Sequence, residues 1–221
     1  MQLIVIAGQA RVGKTTLAKI IAEESFNMGM IPELLSFAGP LKRMAEEKGY
    51  TKEKDKHKYR EFCQQYGEMK REIDPDYWVN LFDEEVNKIC IKEAEDIREE
   101  KKFWERCIIV DDCRYLNEIG LAANYNATIL FLSFGDRDKE DPNGLWRNHN
   151  SESLANQVEE NKEYREMFTH YIINNKTTED LQRLVKTMLP LWCGVDIDTD
   201  DCDDTWWEDV LFMDGIDDDE A

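Results

Sequence analysis

A stretch of eight residues near the amino terminus has the residue types and spacing that bind phosphate groups. Gly8, Gly13, Lys14 and Thr15 fit the pattern G-x-x-x-x-G-K-[ST] without a departure. Glycines let the backbone wrap so that successive N–H groups point at phosphate oxygens, and a following helix adds the positive end of its dipole. The lysine of this pattern reaches the β- and γ-phosphates, and the threonine hydroxyl binds Mg²⁺. The motif therefore predicts a nucleoside triphosphate site.

Such a site also needs a carboxylate that organises Mg²⁺ or its waters. Asp111 and Asp112 follow the apolar run 107–110, which is typical of a buried strand, and open α/β sheets bind ligands at the ends of such strands. Either carboxylate could serve, and a simple turn or helix cap is the alternative. Arg114 could hold a phosphate with two hydrogen bonds, or it could pair at the surface with Glu118.

The elements that must position these residues follow from the hydrophobic pattern. Short apolar runs alternate with segments of helical spacing, which predicts an α/β domain with a mainly parallel, five-stranded sheet flanked by helices. The predicted strands are residues 3–7, 34–37, 107–110, 127–132 and 171–173. The predicted helices are residues 13–27, a helix that begins at Pro40, and residues 59–69, 75–98, 116–124 and 178–189.

Composition restricts the class of protein. The chain has 28 Lys and Arg against 48 Asp and Glu, a net charge of −20, which argues against general or direct nucleic-acid binding. The six cysteines form no CxxC pair, and no secretory signal or apolar run of about 18 residues is present. We therefore expect a soluble, cytoplasmic protein with free thiols and no membrane contact.

The acidic residues are concentrated at the carboxyl terminus. Residues 196–220 contain 13 carboxylates, and no Lys or Arg follows Lys186. Residues 191–221 are therefore predicted to be an acidic tail. Bulky apolar side chains within residues 206–213 suggest a patch that packs on the body of the protein or docks on a basic protein partner; a solvated, disordered tail is the alternative.

Ordered motifs along the chain resemble those of the phage deoxynucleoside monophosphate kinase family. They run from Gly8 to about Glu152, with weaker similarity as far as Leu189. Besides the glycine loop, these motifs are Phe37-Ala38-Gly39-Pro40-Leu41-Lys42, Arg60 with Gln64 and Gly67, Tyr77-Trp78-Val79, Asp112-Cys113-Arg114 with Glu118, and His149 with Ser151-Glu152.

The resemblance implies a P-loop NTPase fold and an enzyme that transfers the γ-phosphate of ATP, with Mg²⁺, to a deoxynucleoside 5′-monophosphate for DNA precursor synthesis. It implies a kinase domain over residues 1–190, a monophosphate-binding helical segment at about 38–100, and the host cytoplasm as the location of a phage-encoded member. A homodimer is compatible with it. Residues 135–150 are polar and lack a periodic pattern, so they are either a lid over ATP or a plain surface loop.

The resemblance and the motifs together give a set of expected site residues. The expected catalytic residues are Lys14, Asp112, Arg114 and Arg147. The expected ATP-binding residues are Gly8, Arg11, Gly13, Lys14, Thr15, Thr16 and Arg137, and the expected Mg²⁺ ligands are Thr15 and Asp112. The residues expected to bind the monophosphate are Lys42, Arg60, Gln64, Arg71 and Trp78.

Alternatives exist for single residues and for the whole protein. Arg60, Gln64 and Arg71 are also compatible with solvated positions on a helix, and Trp78 with simple core packing. Two other functions fit a phosphate loop. One is a kinase of another small acceptor, such as a nucleoside or a compound like dephospho-coenzyme A. The other is an NTP-binding switch protein that depends on a partner.

Overall fold

The structure is a computed structural model that describes residues 1–99, 104–134, 153–195 and 210–212. The chain divides into two compact units. The first unit comprises Met1–Leu34 and Trp104–Ala221, and the second comprises Leu35–Phe103. The helical segment expected at about 38–100 falls within the second unit.

The first unit is built on a sheet with the strand order β2-β3-β1-β4-β5-β6. The first five of these strands are parallel, and β6 pairs antiparallel with β5. The strands are β1 (Gln2–Gly8), β2 (Ile31–Leu35), β3 (Arg106–Cys113), β4 (Thr128–Ser133), β5 (His170–Ile173) and β6 (Val210–Phe212). The prediction of a mainly parallel α/β sheet flanked by helices is therefore confirmed.

Helices follow most strands of the first unit. They are α1 (Lys14–Asn27), α5 (Leu116–Asn124), α6 (Ser153–Glu160), α7 (Lys162–Arg165) and α8 (Thr178–Trp192). Strand β1 is buried from Leu3 to Ala7 because it lies between β3 and β4 in the middle of the sheet. One face of the sheet packs against α1 and α8 through side chains such as Leu17, Ile21 and Val185, which form a single buried cluster with Ile4 and Ile6. This packing fixes the position at which β1 ends.

The second unit contains three helices, α2 (Gly39–Glu47), α3 (Lys56–Ile73) and α4 (Tyr77–Arg98). Trp78 is 1% exposed, and its indole Nε1 donates a hydrogen bond to the Gly67 carbonyl at 3.1 Å. Phe37 and Phe82 pack with ring centroids 4.2 Å apart. The core of this unit is therefore aromatic.

Several element boundaries differ from those predicted. Strand β3 is Arg106–Cys113 rather than residues 107–110, so Asp111 and Asp112 lie within the strand and not after it. Strand β2 is Ile31–Leu35 rather than residues 34–37; its backbone begins to pair where the Ile31 N–H donates to the Glu105 carbonyl at 2.8 Å. Pro32 is tolerated there because β2 is an edge strand. Helix α3 is longer than residues 59–69 because the Asp55 carboxylate caps its first turn. Helix α4 begins at Tyr77 rather than at residue 75.

Candidate functional site

The glycine loop lies at the carboxyl end of β1, in the middle of the sheet. Strand β3 lies on one side of β1 and strand β4 on the other, although the two follow each other in sequence. The chain therefore crosses over β1 between them, and such a switch point leaves a crevice where open α/β sheets bind ligands.

The backbone of the loop requires residues that tolerate positive φ. Gly8 has φ 135° and Gly13 has φ 100°, and Gly13 is the N-cap of α1. A Cβ on Gly8 would lie 2.1 Å from the carbonyl oxygen of Leu132 in β4, so glycine is required there on steric grounds as well. Arg11 has φ 65° without being glycine, and it is exposed. Strain of this kind is concentrated at functional sites.

The Lys14 side chain folds back over the loop that precedes it. Its Nζ donates hydrogen bonds to the carbonyl of Gly8 at 2.6 Å and to the carbonyl of Gln9 at 2.5 Å. These bonds hold the ammonium group above the loop, at the start of α1. The Lys14 ammonium group and the amino end of α1 therefore lie close together, and both favour the binding of an anion at the loop.

Asn174 supports the loop from a distant part of the sequence. Its side-chain Nδ2 donates to the carbonyl of Val12 at 2.7 Å, and its backbone N–H donates to the carbonyl of Ser133 at 2.7 Å. A Cβ on Gly13 would lie 2.7 Å from the same Nδ2. Asn174 therefore positions the loop. No sequence pattern predicts this role, because Asn174 is 162 residues from Val12 and the pairing is purely tertiary.

Thr15 is joined to one of the two adjacent carboxylates at the end of β3. Its Oγ1 donates to Asp111 Oδ2 at 2.6 Å. The β1–β3 register shifts at this point: Val5 pairs with Val110, but Ala7 pairs with Cys113. The stretch between these pairs is therefore one residue longer in β3 than in β1, an irregularity of the kind that redirects side chains beside active sites.

The pair of Thr15 and Asp111 fits a Mg²⁺ ion that is bound together with substrate. Mg²⁺ usually keeps several waters and uses one or two carboxylates plus phosphate oxygens. Within the residues that the structure describes, no group of three His, Cys, Asp or Glu side chains could hold a metal ion alone. Thr15 and Asp111 are oxygen donors of the kind that Mg²⁺ uses together with phosphate oxygens.

The residues that follow Asp111 are held by a buried carboxylate. Glu118 is 2% exposed, and its Oε2 accepts from the backbone N–H of Arg114 at 2.7 Å and of Tyr115 at 3.1 Å. These bonds fix the turn that carries Arg114 and stabilise the first turn of α5. Asp112 lies just before this turn and is half-buried. Burial raises the pKa of the Cys113 thiol well above its usual value, which favours the neutral thiol.

The expected monophosphate-binding residues all lie in the second unit. Gln64 and Arg71 are four and eleven residues beyond Arg60, which places the three on one stripe of α3. Arg60 and Gln64 are exposed, and Arg71 is half-buried; a Cβ on Gly67 would lie 3.5 Å from the Arg71 guanidinium. Lys42 donates to Ser36 Oγ at 2.7 Å.

Aromatic rings lie on another side of α3, because Phe62 and Tyr66 are turned by roughly 200° and 240° from Arg60 around the helix axis. Phe62 stacks between Tyr50 and Tyr66, with centroids 4.7 and 5.3 Å away. The ammonium group of Lys70 lies 5.6 Å from the centre of the Tyr66 ring and 4.6 Å from that of Tyr77. Trp78, by contrast, is buried and hydrogen-bonded to Gly67, so its contact with the stripe is through Gly67.

Several expectations fall on residues outside those described. Arg137, Arg147 and the candidate lid at 135–150 are among them, and so is most of the segment 191–221. The five cysteines that are described are free thiols, namely Cys63, Cys90, Cys107, Cys113 and Cys193. In the described part of the chain, no helix is both long enough and apolar enough to cross a membrane.

We compared the chain with protein-family models and with curated proteins. No protein-family model and no curated protein matches the chain. The chemistry of the residues described above is therefore the basis on which a function is assigned.

Proposed function

We propose that this protein is a P-loop kinase that transfers the γ-phosphate of ATP, with Mg²⁺, to a deoxynucleoside 5′-monophosphate. The observation that carries the proposal is the loop at the end of β1, where two glycines of positive φ, the Lys14 ammonium group and the Thr15–Asp111 hydrogen bond occur together. The finer fold class that goes with it is the P-loop NTPase fold with an acidic carboxyl-terminal tail.

Phosphoryl transfer asks a protein mainly for positioning and for positive charge around the moving group. In this proposal the N–H groups of the glycine loop and the start of α1 bind the β- and γ-phosphates. Phosphate oxygens compete with the carbonyls of Gly8 and Gln9 for the Lys14 ammonium group. Asn174 keeps the loop in shape while this exchange takes place.

The metal requirement is assigned to Thr15 and Asp111. Thr15 and Asp111 would hold Mg²⁺, which would supply positive charge that offsets the charge developing on the transferring phosphoryl group. Thr15 and Asp111 are already in hydrogen-bond contact, which favours Asp111 over Asp112 as the organising carboxylate. Arg114, on the turn fixed by Glu118, is assigned to the transferring phosphoryl group.

The acceptor is assigned to the second unit. Arg60 and Arg71 are guanidinium groups suited to a phosphate, and Gln64 offers an amide that can pair with a base edge. All three lie on one stripe of α3. Trp78 is assigned the positioning of Gly67 in the middle of that stripe, because its indole bonds the Gly67 carbonyl.

The test is a measurement of ADP formation from Mg-ATP with each deoxynucleoside monophosphate in turn, with the nucleoside diphosphate resolved directly. Lys14→Met should lower kcat by about 10²-fold or more, because it removes a charge that stabilises the transition state. Lys19→Met is the matched control, since Lys19 lies on the same helix and is exposed. It should keep wild-type kcat.

Three outcomes would refute the assignment. A phosphorylated product formed only from another small acceptor would point to a different kinase. Slow ATP turnover that requires a protein partner, without a phosphorylated small product, would point to a switch protein. Equal activity of the Lys14→Met and wild-type chains would remove the glycine loop from the mechanism altogether.

A further inference from the structure

The outer edge of the sheet at β5 is covered by the chain's own carboxyl-terminal region. Val210 pairs with Ile172 and Phe212 pairs with His170, in antiparallel orientation. An uncovered edge strand presents unpaired N–H and C=O groups that can accept another strand. Strand β6 is the strand that pairs with this edge, and it is antiparallel on a sheet whose other strands are parallel.

The covering strand is short and its connection is long. Strand β6 has three residues, whereas residues 193–209 separate it from the end of α8. A three-residue pairing allows few main-chain hydrogen bonds, so little main-chain bonding holds β6 at this edge. These features are typical of a strand that docks and releases.

Charge complementarity favours an acidic segment at this edge. The Arg165 guanidinium lies 5.9 Å from the centre of the Tyr171 ring in β5, held there by the bond from its Nε to the Val158 carbonyl at 2.9 Å. Lys176 follows β5 by three residues and is exposed. The segment 196–220 around β6 carries 13 carboxylates and no Lys or Arg.

We propose that the β5 edge is a docking site for an extended strand of three apolar residues within an acidic segment, and that residues 210–212 of this chain occupy it reversibly. Main-chain hydrogen bonds supply the affinity, as in other cases of strand addition, and the acidic flanks supply selectivity. The site does not depend on the kinase proposal. It does connect to the glycine loop, because Asn174 directly follows β5 and bonds Val12.

The first test uses the full chain with Leu211→Pro, which removes a backbone N–H and disfavours strand pairing. Ile216→Pro is the matched control, since it makes a similar change outside β6. Amide hydrogen exchange at residues 170–173 should be about tenfold faster in Leu211→Pro than in wild type, and unchanged in Ile216→Pro. Equal exchange in all three chains would overturn the proposal.

The second test supplies the strand in trans. A fluorescent peptide of residues 206–214 should bind the Leu211→Pro chain at least about tenfold more tightly than the same peptide carrying the proline. It should bind wild type weakly, because the site is already occupied. Equal binding by a peptide of scrambled sequence would show that charge alone is responsible, and the proposed edge site would be wrong.

Discussion

At the level of single residues, the hydrogen bond from Thr15 to Asp111 distinguishes two adjacent carboxylates that the sequence makes equivalent. The register shift between β1 and β3 occurs at these two residues, and local pattern does not reveal it. Only the family resemblance favours Asp112 as the carboxylate that organises Mg²⁺. The structure places Asp111 against the hydroxyl expected to bind Mg²⁺.

This difference leads to a paired mutational prediction. Asp111→Asn should lower kcat by about 10²-fold, because it removes a charge that organises the metal ion. Asp112→Asn should have a smaller effect, and steady-state kinetics over a range of Mg²⁺ concentrations measures both. A larger loss in Asp112→Asn would assign the metal to the other carboxylate.

Gly8 allows a prediction on stability that does not involve catalysis. Gly8→Ala places a Cβ 2.1 Å from the Leu132 carbonyl oxygen at φ 135°, so it should reduce the free energy of unfolding by more than about 1 kcal/mol. Gly120→Ala is the matched control. Gly120 lies within α5 with nothing within 4 Å of its would-be Cβ, so the change should stabilise by about 0.5–1 kcal/mol. Urea unfolding gives both values, and destabilisation of similar size in both would contradict the steric account.

At the level of elements, the proposed acceptor site is the stripe on α3 that carries Arg60, Gln64 and Arg71. Gln64→Ala should raise KM for the monophosphate by about tenfold, the loss expected for one hydrogen bond, without changing KM for ATP. Gln65→Ala is the control, because Gln65 is also exposed on α3 but lies off the stripe, where its side chain donates a hydrogen bond to Glu61. Equal changes in the two variants would remove Gln64 from the acceptor site.

Elements were predictable from sequence where their signal is local. The run 3–7, Gly8 and the helical spacing after Gly13 are contiguous, so β1, the glycine loop and α1 occur where expected. The predicted bounds of β2 are wrong by about three residues because Pro32 interrupts the strand pattern in the sequence. The proline is tolerated because β2 lies at the edge of the sheet. The roles of Asn174 and β6 depend on partners far away in the chain, which residue patterns do not specify.

At the level of the whole molecule, charge is the dominant property. The net charge is −20, and residues 214–220 alone contribute five carboxylates, so a chain that ends at Met213 has a net charge of −20 + 5 = −15 and keeps β6. Raising NaCl from about 50 to about 500 mM should increase Tm more for the full chain than for the shortened one, since salt screens self-repulsion. The same increase in both chains would contradict this account.

The destination of the γ-phosphate distinguishes a monophosphate kinase from the alternative functions, and label transfer measures it directly. ATP labelled at the γ-phosphate is incubated with Mg²⁺, the protein and each deoxynucleoside monophosphate, and the labelled products are separated. We expect label in a deoxynucleoside diphosphate for the wild-type chain and for Lys19→Met, and almost none for Lys14→Met. Label that appears only in inorganic phosphate, or that remains in ATP with every monophosphate, would contradict that expectation.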